Sequence, residues 1–323
     1  MRNIEPRKEL MYASAILCVS IILLWLYKIP VLGITYFWDE GWSYGVAIYK
    51  MSERIPSLLP ASLPPELSRG HPLMYYFINA LVAKTFGFSP SVMHLFSLLI
   101  ATVFLIVFFL MLLRFTNPTF ALLGSLLIMT QEAFIAQSSL MLPEIFISLL
   151  VMTTIYFLIT DHILWYIISA TMLVLTKESG LVVAASASLI YFSHLIRQYL
   201  IKHHTFLKLI KGSLLLFLPI ITGLTFYAIQ KATFGWFLFP LHVQMASFSQ
   251  EAIINHLMVI WQFVFWGYGR ENLFVMLVIM CFLVLLSALY QRKKFNNTIW
   301  KLTAMLLIVF SCYTLFSAIN YIS

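Results

Sequence analysis

Long apolar runs separated by short polar segments dominate this chain. The first run extends from Leu10 to Tyr27, and the others lie at 91–113, 119–136, 143–160, 163–176, 180–196, 213–230, 273–290 and 302–319. About 20 apolar residues are needed for a helix to cross a bilayer core of ~30 Å, so several runs are near that length and 163–176 is short. The pattern predicts an all-α polytopic membrane protein: one transmembrane domain, 1–323, with about nine transmembrane helices.

Composition supports the same fold class. Hydrophobic residues make up 62% of the chain and charged residues 10%, against about 45–50% and roughly 25% in soluble domains. The three cysteines lie inside apolar runs without metal-type spacing, so we predict neither a disulfide nor a zinc site. The first run is long for a signal peptide and no small-x-small cleavage site follows, which favours an uncleaved first helix over a signal peptide.

The charges are divided unequally between the two predicted sides of the membrane. The side of the N-terminus carries 12 basic and 3 acidic residues, and the other side 8 basic and 9 acidic. Basic loops stay in the cytoplasm, so this division predicts a cytoplasmic N-terminus. It also accounts for the net charge of +8 without a nucleic-acid partner.

Two further apolar stretches, 72–87 and 257–268, do not fit the alternation of sides. Both mix aromatic rings with single polar groups, a composition typical of the headgroup boundary. We predict juxtamembrane helices at the outer face, flanking the entrance to a cavity. The alternative is that both stretches span, which adds two crossings and moves the basic cluster at Arg114 outside.

An acidic pair begins the first outer loop, 33–90. Asp39 and Glu40 lie among aromatic rings just beyond the first helix. Apolar surroundings and a like-charged neighbour both raise a carboxyl pKa, which prepares the group to accept a proton from a hydroxyl. Both residues are therefore candidates for a catalytic role. The alternative is that Asp39 is the N-cap of a helix over 40–51, with Glu40 in its first turn.

Other polar residues of the outer loops are candidate substrate-binding groups. Arg69 and His71 offer a guanidinium and an imidazole to phosphate oxygens. Glu144 follows a proline and could equally be a residue favoured by a helix N-terminus. Lys177 could contact phosphate or pair with the adjacent Glu178. His242 is a lone histidine in the last large outer loop, where packing at the membrane interface is the alternative.

Four segments carry a family resemblance. They are the pair Asp39-Glu40, the stretch from Gly70-His71-Pro72 through Tyr75-Tyr76 to Phe86-Gly87, Leu175-Thr176-Lys177, and His242-Val243-Gln244. In this order, over about residues 10–245, they resemble the GT-C superfamily of polytopic glycosyltransferases, especially protein O-mannosyltransferases and the bacterial aminoarabinose transferase of lipid A. The chain departs from these groups in having Pro143-Glu144 at the second outer loop and Trp42 where an arginine is usual.

The resemblance implies a function. It implies inverting transfer of a sugar from a polyprenyl-phosphate donor, at the outer face of a bacterial or archaeal cytoplasmic membrane. Asp39 is then the general base; Glu40 and Glu144 shape the acceptor pocket, and the basic residues face the donor phosphate. The acceptor is left open as a lipid, a glycan or a protein. No cofactor is certain, and a divalent metal is a candidate.

Two other classes of protein compete with this interpretation. One is a transporter or channel for a lipid-linked or small anionic solute, which inverted repeats and charges at mid-helix would favour. The other is a non-catalytic scaffold that keeps the GT-C fold. A cavity beside Asp39 favours the enzyme, and a closed, packed Asp39 favours the scaffold.

The charge division predicts the topology. A reporter fused after Lys211 or Lys294 should give a cytoplasmic signal, and one inserted near Pro60 an external signal, because basic loops resist translocation. Paired alkaline phosphatase and fluorescent protein fusions measure both sides. A cytoplasmic signal at Pro60 would contradict the layout.

Overall fold

The predicted outer loops and the bundle between them are both helical. The computed structural model describes residues 6–201, 205–246 and 249–262, together with Trp266 and Thr314. This part of the chain contains no β-strand. Its first half holds α1 (Pro6–Lys28), α2 (Val46–Ser52), α3 (Pro65–Ser68), α4 (Met74–Phe86), α5 (Pro90–Phe115), α6 (Pro118–Met129) and α7 (Glu132–Gln137). Its second half holds α8 (Glu144–Ile159), α9 (Ile163–Val174), α10 (Glu178–Leu200), α11 (Phe206–Phe234), α12 (Pro240–Met245) and α13 (Gln250–Trp261).

Four helices in the described residues are long and apolar enough to cross a membrane. They are Arg7–Val31, Pro90–Phe115, Glu178–Leu200 and Leu209–Phe234. α6, α8 and α9 are apolar but shorter. The predicted runs 273–290 and 302–319 lie outside the described residues, so nine crossings stay a prediction.

Helix boundaries follow local capping chemistry. Ser89 and Asn117 precede prolines, and their side chains accept hydrogen bonds from the backbone N–H groups of Val92 (3.4 Å) and Phe120 (3.0 Å). A cap residue followed by proline at the first helical position is a strong start signal. These signals explain why α5 and α6 begin where the apolar runs begin.

The apolar run 119–136 is divided between two helices. The chain leaves α6 at Thr130, takes an extended conformation at Gln131 and re-enters a helix at Glu132. The side chains of Thr130 and Gln131 both donate to the carbonyl of Leu127, at 3.1 and 3.0 Å. Such local bonds compete with backbone helix bonds, which accounts for the break.

The bundle has two groups of helices. α1, α5 and α6 pack together, α8, α9, α10 and α11 pack together, and α5 contacts α8 to join them. Buried hydroxyls link the second group: Tyr166 donates to the Leu216 carbonyl (3.0 Å) and bonds Ser188 (2.6 Å). Pro219 lies in α11 one turn later and lacks the N–H that would continue the backbone ladder.

α4 is the longest helix in the segment 33–90, the predicted first outer loop. It has 13 residues and is therefore about 20 Å long, less than the ~30 Å core of a bilayer. This length agrees with the interfacial prediction for 72–87. Only part of the second stretch, 257–268, lies in the described residues, within α13. The positions of both stretches relative to a bilayer stay predictions.

Close approach of α9 and α10 depends on Gly180. A Cβ added there would lie 2.3 Å from the carbonyl oxygen of Leu173, so a larger residue must displace backbone. We expect Gly180→Ala to destabilise the protein by about 1–3 kcal/mol, measured as a lower thermal midpoint in detergent. Gly33→Ala is the control, because its Cβ meets only the Ser91 hydroxyl at 3.5 Å. Equal midpoints for the two variants would contradict this packing.

Candidate functional site

The first outer loop presents Asp39 at a strained turn. Trp38 has a backbone φ of 49°, the left-handed region that bulky residues rarely adopt. A π-helix, Glu40–Gly45, begins directly after Asp39 and continues into α2. Such a strained backbone conformation persists only when many surrounding contacts hold it in place. Strained residues of this kind are common at functional sites.

The Asp39 carboxylate is not used as a helix cap. A helical segment does begin at Glu40, as the capping alternative predicted, but the Asp39 side chain makes no cap bond to backbone N–H groups. Its Oδ1 accepts a hydrogen bond from the Ser43 hydroxyl at 3.3 Å. Asp39 is half-buried, and it is therefore neither sealed in the core nor fully in solvent.

Glu40 has a different environment from its neighbour. It is 1% exposed, and its Oε1 accepts from the Met141 N–H at 2.6 Å and faces His94 Nε2 at 2.9 Å. Its Oε2 accepts from the Phe37 N–H at 3.1 Å. Burial raises the pKa of the Glu40 carboxyl, but these hydrogen bonds outweigh burial and leave the pKa below its ordinary value. His94 was not among the residues predicted from the sequence.

A second histidine–carboxylate pair joins two distant segments. His71 Nδ1 lies 2.7 and 2.8 Å from the two carboxylate oxygens of Glu178, the first residue of α10. The Met74 N–H donates to the Leu175 carbonyl at 2.7 Å and fixes the same two segments. Lys177 turns instead toward Glu144, with Nζ 4.0 Å from Oε1. Of the two alternatives for Lys177, the pair with the adjacent Glu178 is not the arrangement observed, because His71 holds Glu178.

Three tyrosine rings pack against one another near the acidic residues. Tyr44 packs on Tyr75 and Tyr76, with ring centroids 5.7 and 5.5 Å apart. Burial raises the pKa of Tyr44, and the charges of Glu144 and Asp39 raise it further. Since these carboxylates act on one phenol, both lie near the same wall of rings.

Tyr76 lies within electrostatic range of both Asp39 and Arg69. Arg69, His71 and Lys177 are called the cationic side of the site. Burial raises the pKa of the Tyr76 phenol. The charges of Glu178 and Asp39 act in the same direction, and Arg69 acts against them. Asp39 and Arg69, thirty positions apart in the chain, therefore lie within electrostatic range of one side chain.

The last described outer loop packs over this cationic side. Arg69 is exposed, and it and Gly70 both have left-handed backbones, with φ of 49° and 74°. A Cβ on Gly70 would lie 3.0 Å from Phe239 and 3.1 Å from Trp236, so glycine permits this loop to approach. The His242 ring then lies 5.4 Å from that of His71. Burial lowers the pKa of half-buried His242. The charges of His71, Arg69 and Lys177 lower it further, and the charge of Glu178 opposes them without reversing the shift.

The structure thus brings the predicted site residues to one end of the bundle. Arg69, His71, Glu144, Lys177 and His242 come from four segments and are linked by the contacts above. In the described part of the chain, no three His, Cys, Asp or Glu side chains cluster in a way that could hold a metal ion. The amino-acid sequence did not indicate His94 or the role of Glu178, because the spacing of charges carries no signal for either.

Comparison of the chain with protein-family models, with curated proteins and with solved structures finds no match. The resemblance to the GT-C superfamily therefore stays an expectation from the four segments.

The lowered pKa of His242 makes stability depend on pH. The unfolded chain takes up a proton near the ordinary value of 6.5, whereas the folded protein resists protonation until a lower pH. Stability should therefore be full above pH 6.5 and fall as the pH drops toward the folded pKa. His242→Gln should lose less thermal stability between neutral and acid pH than the unaltered protein, measured as midpoints in detergent. His162→Gln, at an exposed histidine of the opposite end, should behave like the unaltered protein. Parallel curves for His242→Gln would contradict the assignment.

Proposed function

We propose that this protein is a membrane glycosyltransferase that moves a sugar from a polyprenyl-phosphate donor to an acceptor at the outer membrane face. The observation that carries the proposal is that the loop of Asp39 meets the basic segments at one end of the bundle. Tyr44 follows Asp39 in the chain and stacks on Tyr76 at 5.5 Å, and the Met74–Leu175 hydrogen bond joins the segments of His71 and Lys177. A proton acceptor and cationic groups thus lie at the same end of the bundle. Glycosyl transfer from a lipid phosphate requires both, at the two ends of the bond exchange.

Asp39 is the general base of the proposed reaction. It takes the proton of the acceptor hydroxyl or amine as that atom forms a bond to the anomeric carbon. The bond from this carbon to the phosphate oxygen breaks on the opposite face, and the polyprenyl phosphate leaves with the electron pair. The configuration at carbon is inverted. Partial burial suits this role, because Ser43 holds the carboxylate at 3.3 Å while part of it stays accessible to an acceptor.

The cationic side balances the charge that builds on the departing phosphate. Arg69 and Lys177 supply permanent charges, and His71 is held in one orientation by Glu178 at 2.7 Å. Fixed groups aimed at developing charge are often the largest contribution to catalysis. Glu144, beside Lys177, borders the acceptor pocket. The donor lipid lies in a groove between helices that opens to the membrane.

The proposal is tested by assaying purified protein in lipid nanodiscs with a polyprenyl-phosphate sugar and a panel of lipid, glycan and peptide acceptors. Asp39→Asn should lower kcat about 10²–10⁴-fold, the usual contribution of a general base, with donor binding unchanged. Product is measured by mass spectrometry and donor binding by isothermal titration.

Asp161→Asn is the matched control for this variant. It changes the other aspartate of the chain, which bonds Tyr191 away from the site, and should keep full activity. Full activity in Asp39→Asn would show that Asp39 is not the base. Donor binding without transfer to any acceptor would favour a carrier or scaffold.

A further inference from the structure

His94 is placed between two acceptors. Its Nδ1 lies 2.9 Å from the carbonyl oxygen of Leu32, and its Nε2 lies 2.9 Å from Glu40 Oε1. His94 is 4% exposed and Glu40 1%, so water cannot substitute for either contact. The Tyr36 ring packs edge-on against the imidazole, with centroids 5.6 Å apart.

Counting the hydrogens shows that His94 and Glu40 form a closed unit, in which both nitrogens and both carboxylate oxygens are paired with protein groups. A carbonyl oxygen only accepts, so Nδ1 must carry a hydrogen. If the imidazole were neutral, Nε2 would then carry a lone pair that faces the Glu40 carboxylate. Two acceptors that face each other form no hydrogen bond. Either the imidazole is doubly protonated beside a carboxylate, or Glu40 is protonated and donates to Nε2. In both arrangements His94 and Glu40 together carry no net charge and both contacts are made.

The unit ties together three separate outer segments. Leu32 and Glu40 lie at the two ends of the loop that carries Asp39. His94 belongs to the second turn of α5, and Met141, which donates to Glu40 at 2.6 Å, lies three residues before Glu144. The backbone segments of Asp39 and Glu144 are therefore both fixed to one buried carboxylate.

We propose that His94 and Glu40 form a positioning unit that sets Asp39 and Glu144 in their catalytic arrangement, a role that rests on the proposed function. Glu40 does not touch substrate in this arrangement, because its oxygens are occupied by His94, Met141 and Phe37. The acidic pair then has divided roles: Asp39 exchanges the proton, and Glu40 holds the loop on which Asp39 lies.

Hydrogen–deuterium exchange tests the tie without any assay of activity. In His94→Gln the two amide hydrogens lie on one nitrogen and cannot span Leu32 and Glu40 as the ring does. We expect peptides covering 33–44 and 138–143 to exchange roughly ten- to a hundredfold faster, the effect of losing a hydrogen bond to a charged group. Glu40→Gln is the second variant. It keeps the shape of the side chain but turns an N–H group toward a donor, and should open the same peptides. His162→Gln should leave both peptides unchanged.

Kinetics distinguish positioning from direct contact. Both variants should lower kcat roughly tenfold or more with little change in KM for donor or acceptor. The double variant should be no worse than either single one, because both changes break the same unit. A raised acceptor KM in Glu40→Gln alone would overturn the proposal in favour of direct binding by Glu40.

The remaining outcomes separate this proposal from the proposed function. Unchanged exchange in both variants overturns the positioning unit whatever the enzyme does. Faster exchange with unchanged kcat overturns its catalytic role. Faster exchange in a protein that transfers no sugar from any donor overturns the proposed function and still supports the tie between the three segments.

Discussion

Pairing of carboxylates with histidines holds the outer end of this protein together. A polar or charged group taken out of water costs several kcal/mol unless it finds a partner, and most of the chain here is apolar. Glu40 and Glu178 meet this constraint by bonding His94 and His71, which lie 54 and 107 positions away in the sequence. Each pair fixes two segments that are distant in the sequence. Apolar packing alone would allow these segments to shift relative to each other. Together the two contacts anchor the loop that carries Asp39 and the segments that carry His71 and Lys177.

The sequence predicted the elements that depend on local rules. The apolar runs lie near the helices of the structure, and the caps Ser89 and Asn117 account for where two of these helices begin. The run 119–136 was the exception, because the competing bonds of Thr130 and Gln131 to Leu127 are invisible to a hydropathy pattern. Hydropathy records how apolar a segment is, and only side-chain geometry decides whether its backbone ladder continues.

The candidate site could be predicted only in part. The sequence motifs identified six candidates that the structure has at one end of the bundle: Asp39, Arg69, His71, Glu144, Lys177 and His242. The partners could not be predicted, since adjacency in sequence made Lys177 and Glu178 look like a pair. His94 stands inside an apolar helix, where a lone histidine is usually a packed residue. Its importance comes from Leu32 and Glu40 approaching its two nitrogens, which is a property of the fold.

The two histidine pairs differ in what they leave available. His94 has both nitrogens occupied, so its pair can only hold structure. His71 gives Nδ1 to Glu178 and lies with its ring 5.4 Å from His242, beside Arg69 and Lys177. A carboxylate that fixes one nitrogen of an imidazole orients the other for use. In the proposed reaction, the pair of Glu40 with His94 holds the loop of Asp39, and the pair of Glu178 with His71 orients an imidazole toward the donor phosphate.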